Sequence, residues 1–151
     1  MSFIAFRING EPKGKGRPRF SRMGNFVKTY TPEDTVMYEN WVKICFQKAV
    51  SECNATIHGV FPIAANVPVK VLIHCVWDYP KSMSAKKRAV TEYVTKKPDF
   101  DNIAKCICDS LNGLAFHDDS QVARCEITKL YSTSGGPYTE VMITTDFKAR
   151  L

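Results

Sequence analysis

Four aspartates and one lysine are the residues best suited to chemistry. Asp99 and Asp101 occur in "KPDFDN", Asp118 and Asp119 in "HDDSQV", and Lys105 lies between the two pairs. Carboxylate oxygens are natural ligands for Mg²⁺, which keeps several waters and takes one or two carboxylates beside phosphate oxygens. Three or four aspartates are enough for one or two ions, which activate water and stabilise the leaving oxygen of a phosphodiester. Clustered carboxylates repel one another, and a cation removes that repulsion. Lys105 follows Asp101 by four residues and precedes Asp109 by four, so the three share one helix face. Lys105 is then either a rung in a surface charge ladder or a cation beside the scissile phosphate, with Asp109 orienting it. Each acidic pair also has a plain structural reading. Asp101 suits a helix N-cap, and Asp118-Asp119 suits a solvated turn. His117 reads as a loop histidine and His74 as a structural one.

The elements that must position these groups follow from periodicity. "FIAFRING" alternates and stops at glycine, so a strand is expected at Phe3–Gly10. "EPKGKGRPRFSRMGN" reads as a loop, with a short strand at "FVKTYT". Thr31 and Pro32 open a helix that runs to about Glu52, its apolar face made by Val36, Trp41, Ile44, Cys45 and Ala49. "CNATIHGVFPIAAN" connects it to "VPVKVLIHCVW", the clearest strand in the chain. "SAKKRAVTEYV" reads as a short basic helix capped by Ser84. A second helix is expected over Asp101–Leu111, with Ile103, Cys106, Ile107 and Leu111 inward and "NG" as its stop. "QVARCEITKLYS" and "YTEVMITTDF" are predicted strands joined as a C-terminal hairpin. The expected fold is α/β of the α+β type: a small mixed sheet with two or three helices, in one domain over residues 1–151.

Charge separates along the chain. The net charge is +6, yet residues 98–120 hold five aspartates against Lys105 alone. Residues 1–30 hold seven Lys/Arg against Glu11. A basic chain with one acidic island suits a polyanion and a local metal site, although a generally basic surface has the same composition. Within the basic loop, Lys13, Lys15, Arg17, Arg19 and Arg22 could neutralise phosphates. Phe20 could stack on an exposed base or anchor the loop, while Phe26 and Tyr30 read as anchors to the core. No Walker-type phosphate loop is present, nor an apolar run long enough to span a membrane. The N-terminus has no secretory pattern. The six cysteines are scattered without a C-x-x-C pair, so reduced, buried thiols are expected rather than disulfides or zinc.

The acidic motifs taken together resemble the RusA family of Holliday junction resolvases. The residues that carry the resemblance are Asp99, Asp101, Asn102, Lys105, Asp109, Leu111, Asp118, Asp119, Gln121 and Val122. "GKGRPRF" followed by "YTPEDTVMYE" is similar to the N-terminal region of phage-type members. The resemblance implies metal-binding aspartates at Asp99, Asp101 and Asp119, with Asp118 beside them, and a catalytic lysine at Lys105. It implies Mg²⁺, with Mn²⁺ as a substitute, a four-way DNA junction as partner and a homodimer, in the cytoplasm of a bacterial or phage-infected cell. It implies no membrane partner and no small-molecule cofactor. Two other classes fit the residues: a non-catalytic branched-DNA-binding module, and a D-x-D metal enzyme acting on nucleotides.

Overall fold

The computed structural model describes residues 1–52, 57–132 and 134–151. Its chain runs β1 (Phe3–Asn9), β2 (Arg19–Met23), β3 (Phe26–Tyr30), α1 (Glu33–Glu52), β4 (Ile57–His58), β5 (Val69–Asp78), α2 (Ala85–Arg88), α3 (Phe100–Leu111), a 3₁₀ turn (Asp119–Gln121), β6 (Val122–Ser132) and β7 (Tyr138–Thr144). The fold class is the mixed α/β arrangement expected. Five strands form one sheet in the order β4-β1-β7-β5-β6, and β2 pairs only with β3.

The expected C-terminal hairpin is not made. β5 lies between β6 and β7, parallel to β6 and antiparallel to β7. The reason is visible in β5 itself. Val69 to Trp77 are buried except for the half-buried His74, so this strand needs neighbours on both edges. A β6–β7 hairpin would have left it at an edge. Parallel pairing with β6 requires a long crossover, and residues 79–121 supply it, carrying α2 and α3.

One sheet face is the core. Ile4, Val71 and Ile143 sit in register, as do Phe6, Ile73 and Val141. α1 and α3 pack over these rows with Val42, Phe46, Ile103 and Ile107, and Phe46 meets Phe6 edge to face at 5.7 Å. All four residues expected inward on α3 are buried, joined by Cys108 and Ser110. The Ser110 hydroxyl donates to the Cys106 carbonyl, which removes the cost of burying it.

α1 turns a different face inward from the one its hydrophobicity suggested. Thr35, Tyr38, Val42, Phe46 and Ala49 are buried, whereas Val36, Trp41 and Ile44 are exposed and Cys45 is half-buried. Thr35 and Tyr38 tolerate burial because each hydroxyl has a partner. Thr35 Oγ1 accepts from the Gly16 amide at 3.0 Å, and Tyr38 shares a 3.2 Å bond with Thr139.

Smaller departures concern the loops. β2 lies within the segment expected to be loop, and β4 within the connection after α1. The basic helix capped by Ser84 is one turn long, after which Tyr93 pairs with Leu130. Cys75, Cys106 and Cys108 are free and buried as expected, and burial pushes each thiol up to about 12. Cys125 is exposed, and Cys53 lies outside the described residues. Among the described residues no helix is long and apolar enough to cross a membrane.

Candidate active site

The crossover delivers "KPDFDN" to the start of α3. The Lys97–Pro98 peptide is cis. Asp99 is the N-cap in extended backbone, and its carbonyl accepts the first helical bond from Ile103 at 3.1 Å. Its carboxylate makes no capping hydrogen bond. Asp99 therefore starts the helix with its backbone and leaves its side chain uncommitted. Asp101 is exposed within the first turn of α3, where the positive end of the helix favours a carboxylate. Asp99 and Asp101 line one open hollow of about 660 Å³ with Thr95, Lys96, Lys97, Phe100 and Lys129.

Lys129 fixes the approach to this hollow. Its ammonium donates to the carbonyls of Lys96 and Pro98, the latter at 2.8 Å. It reaches them because Lys129 stands opposite Cys75 on the inward face of β6, 5.7 Å from the Trp77 ring. The motif reading missed it. The available signal was alternation, since in "ITKLY" Lys129 shares its face with Ile127 and Tyr131.

The glycine-rich segment, distant in sequence, braces the same helix start. A Cβ on Gly14 would lie 2.9 Å from that of Pro98 and 3.1 Å from that of Asn102, and one on Gly16 would lie 2.6 Å from Thr35 Oγ1. Only glycine permits this approach. Between them, the Lys15 amide donates to the Asn102 carbonyl at 3.0 Å. The Lys15 ammonium pairs with Asp109 of α3 and lies 3.0 Å from Glu39 of α1. Burial alone would lower the Lys15 pKa, but the two carboxylates outweigh it and the pKa is raised. Lys15, expected to meet phosphate, is thus already paired within the chain, and Asp109, considered as a partner for Lys105, is held by Lys15. Glu39 was not singled out in the sequence at all.

Lys105 is exposed. Among the described residues none makes a side-chain hydrogen bond or ion pair with Lys105, Asp99, Asp101 or Asp119. Asp118 differs. Hydrogen bonds from the Ser120 side chain and then from its amide, the latter at 2.9 Å, hold its carboxyl below the ordinary value, and the Gln121 side chain accepts from the Asp118 amide, closing a capping box. Gln121 also donates to the carbonyls of Ala64 and Val67. Asp118 and Gln121 therefore build the turn from which β6 departs, and Asp119 is the free member of the pair.

The donor chemistry fits Mg²⁺ in part. Asp99 and Asp101 offer hard oxygen ligands without competing partners, which matches the habit of binding one or two carboxylates plus phosphate. Asp119 is exposed at the first position of the 3₁₀ turn that leads into β6. Among the described residues no three His, Cys, Asp or Glu side chains form a ready metal cage.

A second hollow, of about 640 Å³, adjoins the first. It is lined by Lys13, Arg17, Arg19 and Lys97 with Asp34 and Glu11, and the two hollows share Lys97. Three of the five expected phosphate contacts thus flank the acidic hollow, while Arg22 lies out on β2. His117 is exposed in its loop, as expected.

The chain matches the endodeoxyribonuclease RusA family over residues 9–144. It is similar to the uncharacterized protein YqaN of Bacillus subtilis (strain 168), with 32% identity over 149 residues, covering 95% of this chain and 96% of that protein. With the match spanning both hollows, α1, α3 and β4 to β7 of the main sheet, the chain belongs to the RusA family of endodeoxyribonucleases.

Proposed function

We propose that this chain is a Mg²⁺-dependent endonuclease that resolves four-way DNA junctions by paired phosphodiester hydrolysis. The observation that carries the reading is the set of uncommitted groups on α3, in a chain of a DNA-cleaving family. Among the described residues Asp99, Asp101 and Lys105 have no side-chain hydrogen-bond or ion-pair partner, while the neighbouring Asp109, Asp118, Lys15 and Lys129 all do.

Asp99 and Asp101 would hold the metal, with Asp119 as the further carboxylate offered to it. When bound, the ion supplies an activated water and neutralises phosphate charge. Hydrolysis forms one P–O bond to water and breaks one to the leaving sugar oxygen. Lys105, one turn from Asp101, donates N–H to the oxygen on which charge accumulates. Lys13, Arg17 and Arg19 neutralise the flanking phosphates from the adjoining hollow. Lys129 and Lys15 touch no substrate and keep the helix start in place.

Two symmetric cuts need two sites, so a homodimer matches the near two-fold symmetry of a junction. The exposed Val36, Met37, Trp41 and Ile44 on the outer side of α1 support a second copy packing there. Incubation of a synthetic four-way junction with the chain and Mg²⁺ is expected to give nicked duplexes, with no product in EDTA. Binding without cleavage at any divalent-ion concentration would make the chain a DNA-binding module, and turnover of nucleotides in place of junctions would make it a nucleotide enzyme.

A further inference from the structure

The β2–β3 hairpin stands outside the core. Every residue of both strands is exposed, and neither strand pairs with the main sheet. Its register is Arg19 with Tyr30, Phe20 with Thr29, Ser21 with Lys28, Arg22 with Val27, and Met23 with Phe26. Gly24 has a φ of +61°, as the first central residue of a two-residue turn of type II′ requires. Five residues per strand give an arm of about 17 Å.

The arm has an unusual surface. Met23 is 75% and Phe26 83% exposed at the tip, and Phe20 is 72% exposed on the shaft. Phe26 and Tyr30 were expected to anchor to the core and do not. A free two-stranded hairpin is marginal in water, so apolar tip residues on one point to a partner that covers them. The charge selects that partner. Residues 12–32 contain six Lys/Arg and no acid, with Glu11 and Glu33 flanking the segment. Arg19, Arg22 and Lys28 are spaced along the shaft. A second copy of this chain, itself basic, complements such an arm poorly, whereas a polyanion with exposed ring faces complements both its charge and its tip.

Resting on the branched-DNA reading above, we propose that the β2–β3 hairpin enters the branch point, where Met23 and Phe26 wedge between bases and Arg19, Arg22 and Lys28 hold the phosphates of the separated strands. Apolar side chains inserted at a base step unstack it, and a branch point is where unstacking costs least. The shaft leads back through Arg17 and Arg19 to the basic hollow beside Asp99, so the wedge and the cutting site are linked through one segment.

The test uses a junction carrying 2-aminopurine at the branch, mixed with the full chain in EDTA. Binding by the unaltered chain is expected to raise the fluorescence severalfold. The Met23→Ala/Phe26→Ala double variant is expected to lose that rise and to cut the intact junction about tenfold more slowly with Mg²⁺. It should cut a junction with unpaired bases built into the branch at the unaltered rate. Phe26→Trp should retain the rise, and its own emission should be quenched by the junction but not by linear duplex. Unchanged fluorescence and cleavage in the double variant overturn the wedge while leaving the nuclease reading intact. So does conversion of a dimer to a monomer in sedimentation, which would assign the tip to a second copy. Absence of junction binding by the unaltered chain overturns both.

Discussion

Lys15 and Lys105 are two lysines placed against the same helix with opposite fates. The Lys15 ammonium is fixed between Asp109 and Glu39, three-quarters buried, and its amide holds the Asn102 carbonyl. Lys105 stands on α3 between Asp101 and Asp109 with no partner among the described residues. The paired lysine has spent its charge on joining α1 to α3. The unpaired one leaves its charge open to the proposed substrate. The same division separates Asp118, which caps a turn, from Asp119, which does not. Sequence motifs mark both members of each pair alike, and only the partners distinguish scaffold from chemistry.

The sharpest test of this contrast is Lys105→Ala. Loss of a group that acts only on transition-state charge is expected to slow junction cleavage about 10²–10³-fold. Thermal stability should be unchanged, because no partner is stranded. A drop in Tm would move Lys105 to the scaffold. Lys129→Met should come next, with cleavage slowed about a hundredfold by misplacement of Asp99. As a positioning residue it should lower kcat with little change in KM, and an effect on KM alone would contradict that role.

Lys15→Met reverses the pattern. Removing a cation from two part-buried carboxylates is expected to cost about 2 kcal/mol, or roughly 4–8 °C in Tm for a chain of this size. Its pKa is raised above the ordinary 10.5 in the folded chain. The contribution is therefore full below about pH 10.5 and is lost as pH rises through the folded value. The Tm gap between variant and unaltered chain should stay constant from neutral pH to pH 9 and close at higher pH. A gap that closes near neutrality would show that the ion pair is not its source. The smallest effect is expected from Arg17→Ala/Arg19→Ala. Two lost phosphate contacts should reduce the slope of log affinity against log salt by about 2, with metal dependence unchanged. An unaltered slope would remove the basic hollow from the DNA path.

How much of this was legible in the sequence depended on the range of the interactions involved. α3 was legible because its apolar stripe and its Asn112-Gly113 stop are local, and Gly113 does take a positive φ of +74°, although the cap is Asp99 and not the expected Asp101. β1 and β5 were legible through alternation. The order of strands was not, because β5 is inserted between β6 and β7 by burial on both faces rather than by any turn signal. The inward face of α1 was missed because Thr35 and Tyr38 are polar by type and are buried only through Gly16 and Thr139, 19 and 101 residues away. The basic segment was read as loop up to Asn25, and only its end at Phe26–Thr31 as a strand, which β3 bears out. Its two halves share composition, yet Gly14 to Gly16 lie tight against α1 and α3 while Arg19 to Tyr30 project as a hairpin. Glycine serves close approach in the first half and a turn in the second, and sequence alone does not separate the two uses. In the site, "KPDFDN" was legible as a helix start, and Asp99 caps with its backbone and not with its side chain, which leaves the carboxylate for the proposed ligand role.

The central claim is that Asp99 and Asp101 are free because they serve a metal. The most direct measurement is cleavage and binding of a four-way junction by Asp101→Asn across a Mg²⁺ titration. The account predicts that cleavage is abolished at every Mg²⁺ concentration while junction affinity in EDTA is unchanged or slightly increased by the lost negative charge. Cleavage at the unaltered rate and with the unaltered Mg²⁺ dependence would contradict it.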